Sequence, residues 1–418
     1  MTGMSTFALD VPLTARASRA RTDGVSLSPL VWLMGLYVFF LPIQFGTSSI
    51  NLAPSDLFLG AALLLCFFRL RLITSVWSSV HMALIVCFLY AAGASVYLHG
   101  TVTTYVLVKI TGLFALFVSY LLLTNAATNW REIRGLVRVY ILVASLHAFV
   151  AMAALAVGFS PHWLNYGTDR ISGMLLDPNA FGGLLLAALL LQIGSYVGGR
   201  AVVSGLAGAL VTASLAAGLF LTLSRSAWIG FTLGFLVISF LRPRIWVIGA
   251  VLAAVIAGSL YLWIESRSSS RSQELVEREN TAMQRIDQIR QALPMFASHP
   301  VLGVGLGEFD VRSDPAGYHP LIIHNTTVWI MTELGLVGLS AYIAFVGWFF
   351  RRGSFALKFA TGQAKPLIVG LMGAHAGMLG LSTGIEVLYQ RHWWLIMALL
   401  ASSVRTASRD QVLGLENL

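Results

Sequence analysis

"IIHNTTVWIMTELGLVGLSAY", residues 322–342, is the stretch on which the fold turns. From Thr326 onward it is apolar or small apart from Glu333, and the apolar character runs on past its end. A bilayer-spanning helix needs roughly 20 mostly apolar residues, because the hydrocarbon core is about 30 Å thick and backbone polar groups must bond within the helix. The segment just before it, 265–323, is the longest polar stretch in the chain. His324 and Asn325 therefore stand where the chain returns to the membrane.

The same criterion, carried outward, predicts spans at 30–46, 55–68, 76–97, 103–124, 136–158, 179–198, 203–222, 226–241, 244–264, 325–350, 366–386 and 390–404. The 418 residues are 57% hydrophobic and 11% charged, with a mean hydropathy of +0.78. That excludes a soluble globular protein with one ordinary core. The fold class is all-α, a polytopic membrane bundle of about twelve helices with a large loop between the ninth and tenth. Residues 1–28 read as a loosely ordered cytoplasmic tail, 29–264 as the first nine spans, and 265–323 as an outer loop with an amphipathic helix. Residues 324–404 supply the last three spans and 405–418 a second cytoplasmic tail. Cys66 and Cys87 fall inside spans and read as small buried hydrophobes, with no disulfide or zinc site.

Orientation follows from the Lys/Arg bias. With the N-terminus cytoplasmic, alternate loops carry Arg69 and Arg71; Arg131, Arg134 and Arg138; Arg200; Arg242 and Arg244; and Arg351, Arg352, Lys358 and Lys365. The net charge of +9 thus reflects topology and gives no reason to expect nucleic acid. The informative cations are those on the outer side or inside a span: Arg170, Arg225, Arg285, Arg290 and Arg391 among them, and Lys109 within "TYVLVKITGLF" (104–114).

The outer loop contains Met283, Ile286, Ile289, Leu293 and Phe296 at three- and four-residue spacing, an apolar stripe on a helix that can lie on the membrane or pack over the bundle. Its other face carries Arg285, Gln288 and Gln291. "HPVLGVGLGEF" (299–309) follows; its glycines suit a re-entry turn, and without a preceding strand they are a weak phosphate-loop signal. In "TDRISGMLLDPNAFGG" (168–183), Asp177 or Asn179 can cap a helix with Pro178 in its first turn. "LTLSRSAWIG" (221–230) puts Arg225 in a minimal turn between two apolar helices. Arg225 there either snorkels to lipid phosphates or is a fixed guanidinium for a bound phosphate. His324 either caps a helix or takes a proton from a sugar hydroxyl. Within the spans, His375 and Glu333 are expected to bond between helices, Glu386 to pair with Arg391, and Trp393 and Trp394 to join an interfacial aromatic belt.

Taken in order, "DPNAFGG", "LSRSAW", "RIDQIRQALPMFASHPVLGVGLGEF" and "HNTTVWIMTELGLVG" resemble the O-antigen ligase and polymerase superfamily of bacterial inner-membrane glycosyltransferases. The resemblance implies a metal-independent, inverting glycosyl transfer at the periplasmic face, without a cofactor. The donor would be a glycan on undecaprenyl diphosphate and the acceptor the lipid A core, with membrane lipids as surroundings; a polymerase would use a second lipid-linked glycan instead. It also implies that Arg225 and Arg285 bind the diphosphate, with Arg170 and Arg290 as further cations, and that His324 activates the acceptor. Asn325, Asp177 and Asn179 would line the cavity; Lys109, a cation inside a span, either lines it too or snorkels to the interface. One departure is Ile289, which stands where an aromatic residue is expected, with Arg290 beside it. A carrier for lipid-linked sugar would show repeated halves and ionisable pairs near the midplane; the polar groups here gather on one side.

Overall fold

The computed structural model describes residues 28–46, 51–68, 79–99, 102–159, 161, 164–166, 170–242, 271–313, 323–362 and 364–412. The predicted span 244–264, nearly all of the N-terminal tail, and parts of the outer loop lie outside the described residues. The helices in chain order are α1 (Pro29–Phe39), α2 (Pro54–Phe68), α3 (Ser79–His99), α4 (Thr104–Ala126), α5 (Trp130–Ala156), α6 (Pro178–Val197), α7 (Gly205–Leu221), α8 (Arg225–Leu241), α9 (Arg271–Ser298), α10 (Glu308–Ser313), α11 (Thr326–Phe359), α12 (Ala364–Leu381) and α13 (Arg391–Val412). Two antiparallel stubs join them: β1 (Phe45–Gly46) with β2 (Asn51–Leu52), and β3 (Asn165–Tyr166) with β4 (Arg170–Ile171).

Every predicted span except 244–264 overlaps one of these helices, although the helix in 30–46 ends at Phe39, before β1, and that in 366–386 ends at Leu381. Among the described residues α3, α4, α5, α6, α11 and α12 are long and apolar enough to cross a membrane, and α1, α2, α7 and α8 are shorter apolar helices. Their starts follow local chemistry. Ser28, Thr103, Asn129, Asp177, Ser224 and Asn325 each accept a hydrogen bond from a backbone N–H in the first turn of the helix they precede.

The centre of the bundle is α12, buried along its length and gripped between α6 and α8. Glycines make that grip close. A Cβ on Gly194 would fall 2.4 Å from Gly370 Cα, one on Gly230 2.5 Å from the Gly377 carbonyl, and one on Gly234 2.5 Å from the Gly373 carbonyl. In an apolar solvent helices associate through such van der Waals contact, which small residues permit.

Several expectations are corrected. Trp393 and Trp394 are fully buried rather than interfacial, donating to His375 Nδ1 (2.9 Å) and the Leu388 carbonyl (2.7 Å). Each indole N–H finds its partner inside the bundle, so neither ring needs the water layer. Arg391 pairs with Asp56 (2.6 Å) and Ser55 at the start of α2, not with Glu386. Glu333 accepts from Trp329 on its own helix (2.7 Å) instead of bonding between helices, whereas His375 does link α12 to α11 through the Val346 carbonyl (3.2 Å). The last helix runs to Val412 rather than 404, because Arg405 donates to the Thr124 and Ala127 carbonyls and so caps α4.

The span at α11 is also not continuous. At Gly335 (φ 67°, ψ −167°) the helix breaks. The chain at 300–305 fills the gap: Val304 and Gly305 donate to the Thr332 and Glu333 carbonyls, and Leu336 and Val337 donate to those of Pro300 and Val301, at 2.9–3.1 Å.

Gly230→Ala should lower the melting temperature of the detergent-purified protein, since its methyl must displace backbone at a cost of about 1–3 kcal/mol. Gly93→Ala, at a position with open space around it, is the control and should not lower it. Thermal unfolding of the two variants beside wild type checks this.

Candidate active site at one end of the bundle

α6, α7 and α8 bring polar groups to the same end of the bundle. Asp177 caps α6, accepting from Asn179 N–H (2.9 Å), and Pro178 occupies the first helical position. Ser224 caps α8 and donates to Asn179 Oδ1 (2.7 Å), which ties the two helix starts together. Arg170, on β4, donates from Nε to the Thr222 carbonyl (2.9 Å) at the end of α7 and from Nη2 to Asn179 Oδ1 (3.4 Å). A guanidinium on terminal carbonyls suits the negative end of the helix dipole. Arg225 stands exposed in the first turn of α8. There its charge adds to the positive end of the helix, which favours a bound anion.

Both capped starts are preceded by a leucine in the left-handed region, Leu176 (φ 64°) and Leu223 (φ 50°). Such backbone costs on the order of 1–3 kcal/mol for a non-glycine residue and persists only where the surroundings over-determine it.

α9 brings a second arginine. Arg285, Gln288 and Ala292 lie on the helix face turned to the bundle, with Gln288 and Ala292 buried. Met283, Ile286 and Leu293 of the apolar stripe are 50%, 45% and 49% exposed, so the stripe faces outward and the polar face is the one that docks. Arg285 rests over Gly384, where a Cβ would meet Nη1 at 3.2 Å. Burial, and then the Arg225 charge beside it, push the Arg285 guanidinium below the ordinary arginine value, while Asp177 pulls it back up. Among the described residues neither Arg225 nor Arg285 forms an ion pair with a carboxylate.

His324 completes the group. Gln288 Oε1 accepts from the His324 backbone N–H (3.2 Å) and lies 3.3 Å from His324 Nδ1. The backbone bond fixes which end of the Gln288 amide is the oxygen, so Nδ1 can bond to it only as a donor. Asn325, which caps α11, also donates to the Thr383 carbonyl (3.3 Å). Thr326 bonds to Ile385 and Val387 (3.0 and 2.9 Å), lacing the start of α11 to the turn after α12.

The expected residues thus divide. Arg170, Asp177, Asn179, Arg225, Arg285, His324 and Asn325 converge. Arg290 does not: five residues beyond Arg285, it is turned about 140° around the helix and is exposed, paired with Asp287 (3.3 Å). Lys109 lies further along the turn 382–390, with Glu386. In the loop 299–307 the N–H groups of Gly303, Val304, Gly305 and Leu306 go to the carbonyls of His299, Thr332, Glu333 and Ala91, so it is a plug and not a phosphate cradle. Ser224 and Gly384 went unnoticed in the sequence; the small residues at a turn between two apolar runs were the available signal. Among the described residues no three His, Cys, Asp or Glu side chains gather where they could hold a metal ion.

A helical membrane bundle with two arginines and an oriented histidine at one end defines the class. Residues 208–343 match the family described as O-antigen ligase, a stretch that includes Arg225, Arg285 and His324. That stretch is similar to the O-antigen ligase family, the superfamily that its motifs resemble. No curated protein matches the chain.

Arg285→Ala should weaken the binding of inorganic pyrophosphate about tenfold, the worth of one charge-assisted hydrogen bond. Arg290→Ala should weaken it less, since that side chain points away. Titration calorimetry on both variants gives the comparison.

Proposed function

We propose that the protein transfers a glycan from undecaprenyl diphosphate to a hydroxyl of the lipid A core at the periplasmic face of the bacterial inner membrane. The observation that carries this reading is the meeting of Arg225 and Arg285, without ion-paired carboxylates among the described residues, with a histidine whose Nδ1 lies 3.3 Å from Gln288 Oε1. The O-antigen ligase match over the same residues supports it. The opposite end of the bundle holds Arg134, on the Arg200 and Ala201 carbonyls, and Arg405, on those of Thr124 and Ala127. By the Lys/Arg bias that end is cytoplasmic, which turns the candidate site to the periplasm.

The chemistry follows from the placement. His324 Nε2 takes the proton of the acceptor hydroxyl as its oxygen attacks the anomeric carbon. The bond from that carbon to the diphosphate oxygen breaks, and its electron pair leaves on the diphosphate. A diphosphate is already a good leaving group, so stabilising the negative charge that develops on it dominates. Two fixed guanidiniums do this without a divalent cation, because arginine stays charged and offers several donors. Attack opposite the leaving group inverts the anomeric centre.

In a reconstituted system with lipid-linked oligosaccharide, lipid A core and chelator, the wild type should glycosylate the core. His324→Ala and Arg225→Ala should each reduce transfer about 100- to 1000-fold. Elongation of the donor alone would replace the ligase reading with a polymerase. Donor moved across the membrane without transfer would replace both with a carrier.

A further inference from the structure

The turn 382–390, between α12 and α13, has two faces. One holds Gly384 beneath Arg285 and accepts the bonds from Asn325 and Thr326. The other carries Glu386 and Tyr389, and these meet Lys109 from α4. Lys109 Nζ lies 2.5 and 2.6 Å from the two Glu386 oxygens. Three rings close around the ammonium, with centroids at 5.2 Å (Tyr105), 5.0 Å (Trp329) and 4.5 Å (Tyr389). Tyr389 in turn donates to the Lys109 carbonyl (2.8 Å) and packs on Gly112. The pair is nearly closed to solvent, the side chains 14% and 13% exposed.

Lys109 is therefore committed on every side: its charge to Glu386, its faces to three aromatic rings, its backbone to Tyr389. A free phosphate ligand would present open donors; this ammonium presents a strut. What the strut joins is α4, the first turns of α11 through Trp329, and the turn on which Arg285 rests.

We propose that Lys109 and Glu386 are a positioning pair. They fix the turn 382–390 so that Gly384 supports Arg285, and the start of α11 holds His324 at its working distance; neither residue binds the anionic substrate. The inference deepens the transferase reading and rests on it for its kinetic consequence, although the pair itself can be judged without turnover.

The test uses the full chain in lipid nanodiscs with Lys109→Met, Glu386→Gln and the double variant. Each is measured for glycan transfer, for inorganic pyrophosphate binding, and for thermal unfolding. Each single variant should lower kcat about 10- to 100-fold in the folded fraction, with the donor KM changed less than about threefold, as misplaced reacting groups do. Pyrophosphate affinity should stay within about threefold of wild type, because Arg225 and Arg285 remain. The double variant should unfold at a higher temperature than either single one, since neither member of the pair is left as an unpartnered charge. A purely structural role would cut the yield of folded protein while leaving its kcat intact, and that result would overturn the proposal. So would a loss of about tenfold or more in pyrophosphate affinity for Lys109→Met with none for Glu386→Gln, which would make Lys109 a phosphate ligand. If the wild type transfers nothing, the transferase reading fails by itself. The pair then stands on its non-additive unfolding, and additive effects would overturn it.

Discussion

Backbone contact between α12 and its neighbours is the constraint from which the rest of the structure follows. A side chain at Gly194, Gly230 or Gly234 would occupy space already filled by the main chain of α12. With lipid tails as apolar as leucine, no hydrophobic force pulls membrane helices together, and close van der Waals contact has to do so. The contact also sets register. The first residues of α6 and α8 and the last of α12 reach the same end, so Asn179, Ser224, Ser226 and Gly384 arrive as neighbours. A Cβ on Gly384 would lie 2.6 Å from that of Ser226. The floor of the site is thus a continuation of the helix packing.

The second constraint is the repaired break in α11. Unwinding at Gly335 releases carbonyls at Thr332 and Glu333 and N–H groups at Leu336 and Val337, and in a bilayer each of these must find a partner. The strand-like passage of 300–305 supplies all four. In doing so it anchors the C-terminal end of α9, the helix whose docked face carries Arg285 and Gln288. Gly303 is as constrained as Gly335: it has φ 74°, and a Cβ there would strike the Glu333 carbonyl at 2.3 Å. A loop that reads as a connector therefore holds Arg285 and the partner of His324 in place.

These relations explain what could be read from the residues alone. Long apolar runs with capping residues announce membrane helices, because every backbone group in lipid must be bonded within its segment. Arg225 and His324 stood out because each sits where a polar interval meets a span, a minimal turn for Arg225 and the longest polar stretch for His324. Phase and pairing were not legible in this way. Arg285 and Arg290 are equivalent in composition, and only the docked face of α9 separates them. "TELGLVGL" reads as unbroken helix, since a glycine in a span is ordinary and the chain that mends the break lies thirty-odd residues earlier. Lys109 and Glu386 are 277 positions apart, so Arg391, five residues from Glu386, looked like the partner. The two tryptophans looked interfacial because their polar N–H usually seeks the water layer; here a buried histidine and a carbonyl satisfy it.

The energetics of the site explain why so much framework surrounds it. Two guanidiniums held near one another, one of them half-buried with its protonated form disfavoured, repel each other in the empty protein. Two leucines beside them are held in left-handed backbone. Neither feature would survive in a loosely packed loop, where the chain would relax and the arginines would swing into water. Glycine-close helices, a plugged break and a caged lysine together prevent that relaxation. On the proposed reading, an arriving diphosphate would meet guanidiniums already in place, and its binding would relieve the repulsion. On that reading the arrangement would need no reorganisation as charge develops on the leaving oxygen, so the same repulsion that strains the empty site would favour the transition state.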